Sequence, residues 1–153
     1  MSKAIHSSDA EYTTIDISSS AEFILKVQKN TGEIPWSEGG KTDPWDHVES
    51  AMGLAIGGFY KEARQAYLWS RETQLSDGSW WSDYRDGRPQ QGAYKDSNMT
   101  AYVAVGVFHY FLVTGDDGFL DSMWEVVSRA MDYVLNMQGK GGEMFWAKRK
   151  DNS

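Results

Sequence analysis

The chain has 153 residues, 41% of them hydrophobic and 24% charged, which fits one folded domain and excludes a disordered segment. It contains no cysteine, so disulfides, thiolate metal ligation and a cysteine nucleophile are excluded together. The formal charge of −7 argues against nucleic-acid backbone and anionic membrane surface as main partners.

In chain order, the first fourteen residues carry no apolar run after Lys3, so no secretory signal is read and a cytoplasmic location is expected. Residues 1–18 are expected to be flexible. A helical pattern then closes on Phe23, Gln28 and Gly32. The polar loop 29–42 leads to Asp43-Pro44-Trp45-Asp46, a helix start with proline at the first helical position. Val48, Met52, Ala55 and Phe59 share one face of that helix. A break at Gly57-Gly58 precedes a second helix over 61–73, closed by Trp69, Gln74 and Gly78. After a loop over 76–95 the plan repeats: a helix over 97–113, the turn Thr114-Gly115-Asp116-Asp117, and a helix over 119–137 closed by Tyr133, Gln138 and Gly142.

Three gapless copies of aromatic, Gln and Gly, each followed by tryptophan, mark a repeated supersecondary unit. The 101–113 stretch is apolar nearly all round apart from His109, and is too short for a membrane span of about 20 residues. It is expected to be covered on all sides as an inner helix, with His109 a core histidine. The helix over 119–137 is striped, with Leu120, Met123, Trp124, Val127, Ala130, Met131, Val134 and Met137 on the buried side, as an outer helix requires. The expected fold is all-α, with five main helices in alternating inner and outer layers. All the long loops then fall on one rim, at the N-terminal ends of the inner helices.

That rim collects the chemistry. Asp43, Asp46, Glu49 and Asp96 are the candidate catalytic carboxylates; Trp36, Trp80, Trp81, Tyr84, Asn98, Tyr102, Glu143 and Trp146 are the candidate substrate-binding residues. Asp43 and Asp96 also read as helix caps, and Asp46 and Glu49, three apart, point the same way. Trp45 and Trp124 are read as core. His47 has no second histidine at ligand spacing, so no metal is expected, and no cofactor. Asp116-Asp117 lies on the short-turn rim, away from the rest. No Gly-rich phosphate loop or serine nucleophile elbow is present.

Trp69…Gln74…Asp77-Gly78-Ser79-Trp80 resembles the repeat of squalene cyclases and prenyltransferases, the α/α-toroid proteins. Asp43-Pro44-Trp45-Asp46-His47-Val48-Glu49, Ala101-Tyr102-Val103-Ala104-Val105-Gly106, Thr114-Gly115-Asp116 and Gly142-Glu143 resemble stand-alone bacterial prenyltransferase-like proteins over residues 23–147. Gln74-Leu75-Ser76-Asp77-Gly78-Ser79, followed by a helix ending in Thr114-Gly115-Asp116, is similar to the six-hairpin glycosidases, which use the same toroid. The resemblance implies a single N-terminal portion of a toroid over 1–153: an incomplete ring, since a closed one holds about six hairpins. Its uncovered inner flanks imply exposed apolar surface and self-association. The main functional expectation is a transferase or cyclase, in which a protonated carboxyl starts a cation on an isoprenoid within aromatic walls. The alternative is a six-hairpin glycosidase-like enzyme acting on a glycan with paired carboxylates; a non-catalytic binding toroid is the third.

Overall fold

The structure, a computed structural model, describes residues 16–149. Five helices occur among these, α1 (Ile17–Val27), α2 (Pro44–Ile56), α3 (Tyr60–Thr73), α4 (Ser97–Thr114) and α5 (Asp117–Leu135), with four two-residue strands in the rim loops. Most of the stretch expected to be flexible, residues 1–15, lies outside the described residues; Ile17 and Ser18 already belong to α1.

Local chemistry sets the helix starts. Asp43 Oδ1 accepts from the backbone N–H of Trp45 and Asp46, both at 3.0 Å, and Pro44 occupies the first turn without a donor to satisfy. Asp96 Oδ1 does the same for Asn98 and Met99 at 2.8 and 2.9 Å. Asp116 caps α5 through Phe119 N–H and also receives Arg64 of α3 at 2.7 Å, tying two outer helices at the short-turn rim.

The helices α2 and α4 pack on each other as the inner layer, while α1 and α3 lie against α2, and α5 against α4. The core between the layers is built from Val48, Leu54, Tyr67, Val103, Val107, Tyr110, Phe119 and Met123. Two sequence expectations are corrected here. The buried face of α5 runs through Phe119, Met123, Val126, Ala130, Tyr133 and Val134. Met123, Ala130, Val134 and Met137 of the expected stripe are buried, but Leu120 and Val127 are only partly so and Trp124 is 66% exposed, not core. Hydropathy alone could not orient that helix, because Trp124, Val127 and Met131 are apolar neighbours of the true stripe. The inner helix α4 is covered on one flank only: Val105, Phe108 and Leu112 are exposed. No helix among the described residues is long and apolar enough to cross a membrane.

The Gln–Gly repeat has a structural reason. Gln28 Nε2 donates to Gly32 O at 3.2 Å and to Glu62 O of α3 at 2.9 Å. Gln74 Nε2 donates to Gly78 O at 3.0 Å and to Val126 O of α5 at 2.9 Å. Each amide thus closes its own loop and holds the next outer helix, so the repeat is a latch between successive outer helices.

Candidate functional site

The rim loops are joined through backbone pairing. Thr42 bridges to Tyr84, and β1 (Tyr84–Arg85) pairs with β2 (Arg88–Pro89). Next, β3 (Lys95–Asp96) pairs with β4 (Ala147–Lys148) in the third loop. This places all three loops on the face from which the inner helices start.

A cavity of about 390 Å³ opens beside the start of α2, lined by α1 and the first loop. Its apolar wall includes Phe23, Ile24, Val27, Pro35 and Trp36; its polar groups are Asp46, Glu49 and Ser50. The Trp36 indole N–H donates to Asp43 Oδ2 at 2.5 Å, and Lys41 Nζ sits 4.0 Å from the ring centroid. Trp36 is therefore fixed at its edge and charged on one face, while 55% of it stays exposed. Glu49 Oε1 accepts from Trp45 Nε1 at 2.7 Å and Tyr102 O–H at 2.9 Å, and the Trp45 and Tyr102 rings stack at 4.8 Å. Trp45 is thus half-buried at the cavity edge and not a core residue.

Electrostatics single out Asp46. Burial, then hydrogen bonding with Asp43 and the negative charges of Asp43 and Glu49, raise its carboxyl to about 6, with Lys41 acting in the opposite sense. Next to it, His47 is fully buried between layers: its Nδ1 accepts from Ile34 N–H at 3.1 Å and its Nε2 lies 2.9 Å from Ala66 O. The ring is therefore neutral with its proton on Nε2, and burial pushes its pKa down to about 4. It is a cross-layer tie, not a ligand.

Of the sequence candidates, Trp36, Asp46 and Glu49 meet in this cavity, with Asp43 and Tyr102 holding them from behind. Asp96 caps α4 at 2% exposure and does not reach the cavity lining. Trp80 and Tyr84 lie in the core: Trp80 Nε1 donates to Ser70 O at 2.8 Å, and the Tyr84 hydroxyl accepts from Trp81 N–H at 3.0 Å. The reason is register. Trp80 stands two residues after Gly78, where the first loop buries Ile34, whereas Trp36 and Trp146 stand four after their glycines and are exposed. Trp81 packs at the core edge under Lys95. Asn98, Glu143 and Trp146 are exposed, the Trp146 ring meeting Tyr94 at a tilt of 53° with centroids 5.7 Å apart. Sequence reading missed Lys41 and the wall residue Phe23; nothing in a polar loop marks one lysine as an aromatic's partner, and Phe23 read as the repeat's aromatic.

No protein-family model matches the chain. Over 128 residues, 84% of its length, the chain is 50% identical to "MMP endo-(1,4)-3-O-methyl-alpha-D-mannosidase" of Mycolicibacterium hassiacum, and it spans 35% of that protein. The fold matches that of cellobiose 2-epimerase from Bacillus thermoamylovorans B4167 with a TM-score of 0.64 at 16% identity, over 87% of this chain and 38% of that one. The chain therefore has the α/α-toroid fold. The expected prenyltransferase or terpenoid-cyclase activity is overturned: the relative, at half-identity over most of the chain, is named as a mannosidase. The shared outer-helix repeat explains the error, because it reports the toroid and not the chemistry on its rim.

Proposed function

We propose that this chain carries part of a glycoside-cleaving site in which Asp46 is the general acid. The observation that supports it is a carboxyl raised to about 6 in a cavity with a second carboxylate and an exposed indole. Protonated Asp46 gives its proton to the glycosidic oxygen as the bond to the anomeric carbon breaks, and the leaving sugar departs as an alcohol. Glu49, held by Trp45 and Tyr102, faces the positive charge developing at that carbon. Water then adds to the anomeric carbon, and its proton restores Asp46. Asp43 is a positioning residue: it fixes Trp36 and the first turn of α2 and raises the Asp46 pKa.

The substrate class we propose is an α-1,4-linked mannan bearing 3-O-methyl groups, in line with the relative's name. The wall supports it. Phe23, Ile24, Val27 and Pro35 offer apolar surface to methyl ethers, and the Trp36 face suits a pyranose ring. The test is Asp46→Asn assayed on α-1,4-linked 3-O-methylmannose oligosaccharides. New reducing ends should disappear while quenching of tryptophan fluorescence by the oligosaccharide persists. An active Asp46→Asn variant, or a carboxyl signal titrating near 4 by NMR, would overturn the assignment.

A further inference from the structure

A second cavity opens on the rim, between the first and second loops and the start of α4. Its volume is about 170 Å³, and its lining includes Lys41, Ser82, Asp83, Gln91, Tyr94 and Met99. The second loop is closed behind it. Ser82 N–H donates to Tyr94 O at 2.8 Å and Tyr94 N–H to Ser82 Oγ at 3.1 Å, which clamps the chain on either side of the β1–β2 hairpin.

Two charged side chains in this cavity are short of partners. Asp83 Oδ1 is buried and accepts no hydrogen bond; the loop is held at this residue by its backbone, Gln90 N–H donating to Asp83 O at 3.0 Å. A buried carboxylate oxygen without a donor costs free energy that a donor entering the cavity restores. Lys41 Nζ rests over the Trp36 ring, and among the described residues neither Lys41 nor Asp83 takes part in an ion pair. Opposite charges thus line one space without neutralising each other. That pattern selects the ligand. An anion meets Asp83, a cation meets Lys41, and an apolar group leaves both charges desolvated and unpaired. A neutral group with neighbouring hydroxyls satisfies both: one O–H donates to the carboxylate, and the next oxygen accepts from the ammonium.

Position narrows the choice further. Trp36 lines the first cavity and Lys41 the second, and the two side chains in contact form the partition between them. The charge of Lys41 also acts on Asp46. Tyr94 lies near both inner-helix starts: burial, then the charges of Asp96 and Asp43, raise its hydroxyl above the ordinary tyrosine value. The cavities differ in chemistry. The first offers Phe23, Ile24, Val27 and Pro35 to methyl ethers; the second offers a carboxylate, an ammonium and an amide.

We propose that the cavity between Lys41 and Asp83 is a second sugar subsite, taking one hexopyranose ring whose hydroxyls are free of O-methyl groups. The choice of a sugar rests on the mannan reading of the first cavity. Asp83 is then a specificity residue. A methyl ether oxygen has no proton to give its carboxylate, so an O-methylated ring leaves the buried oxygen unpaired and is refused. The two cavities together select a chain in which an unmethylated unit adjoins methylated ones.

The test reads the cavities separately by NMR, through isotopically labelled methyl groups of Ile24 in the first and Met99 in the second. Methyl α-D-mannopyranoside should shift Met99, and its fully O-methylated derivative should not. Asp83→Ala should weaken the Met99 response about tenfold, as expected for one lost charge-assisted hydrogen bond. The comparison of the two glycosides uses the unaltered chain, so it decides even where Asp83→Ala does not fold. Equal Met99 shifts from both glycosides, no shift from either, or a mannoside response that Asp83→Ala leaves unchanged overturns the subsite. So does a matching shift from glycine, which would assign the two charges to a zwitterion. The mannan reading fails differently: Met99 then answers the mannoside while 3-O-methylmannose oligosaccharides leave Ile24 unmoved, and the polar subsite stands. An Ile24 response with Met99 silent does the reverse.

Discussion

Two adjacent residues at the start of α2 titrate in opposite senses. His47 has its pKa pushed down to about 4 by full burial, so protonation favours the unfolded chain. Its contribution is complete above the ordinary histidine value and falls away as the pH drops from about 6.5 to 4, by about 3 kcal/mol in all. Urea midpoints measured across that range should show the slope, and His47→Gln should flatten it. Asp46 runs the other way. With its folded pKa raised to about 6, the folded state holds the proton more tightly, so its charge is a growing cost as the pH climbs from 3.8 through 6. Asp46→Asn should therefore raise the urea midpoint at pH 7 to 8 and leave it unchanged below pH 4, while removing activity. That split between stability and turnover is expected of a site residue. Asp43 separates capping from chemistry: Asn keeps the cap, whereas Ala should lose about 1–2 kcal/mol in thermal unfolding and leave the Trp36 indole N–H unpaired.

Among elements, the latch carries the largest expected single-residue effects. Gly58 and Gly78 share nearly the same backbone, φ +85° and +88°, but a Cβ at Gly58 meets nothing within 4 Å while one at Gly78 meets the Arg129 carbonyl at 2.1 Å. Gly58→Ala should cost only the left-handed strain, about 1–2 kcal/mol. Gly78→Ala must also push α5 away and should cost at least about twice as much. Denaturant unfolding of the two variants side by side measures the difference. The Gln–Gly spacing was legible in sequence as a repeat, but its mechanism was not, because the partner carbonyls lie in the following helix and carry no side-chain signature. The caps at Asp43 and Asp96 were legible for the opposite reason: a cap acts on the next three residues of its own chain.

At the scale of the whole molecule, α4 leaves one flank exposed among the described residues. Phe108 and Leu112 are 55% and 65% exposed on an inner helix, a patch that a closed domain of this size would bury. Replacing both with serine should change stability by no more than about 0.5 kcal/mol per site. Both are largely exposed, and Phe108 meets only the edge of Phe111, at 6.2 Å between ring centroids, on its own helix. The same change should sharply reduce apolar-dye fluorescence; a large loss of stability instead would mean that the flank is covered in solution. The rim cavity sits at the other end of the layer pair, against α1, so these substitutions should leave oligosaccharide binding untouched.

Composition, helical periodicity and the threefold Gln–Gly pattern determined by themselves that the chain is helical and layered and that its long loops share a rim; the toroid was what the resemblance of that repeat implied. These are local or periodic properties, written in residues close in sequence. Tertiary structure decided which rim residues converge. Trp36, Asp46 and Glu49 meet because the first loop folds back over α1, while Trp80, two residues nearer its glycine than Trp36, turns into the core. It also decided that Trp124 faces outward and that the Asp46 carboxyl is raised. Burial set both outcomes: the charges of Asp43 and Glu49 beside Asp46 were legible in the spacing, whereas its desolvation and the turn of Trp124 away from the core exist only in the packed structure.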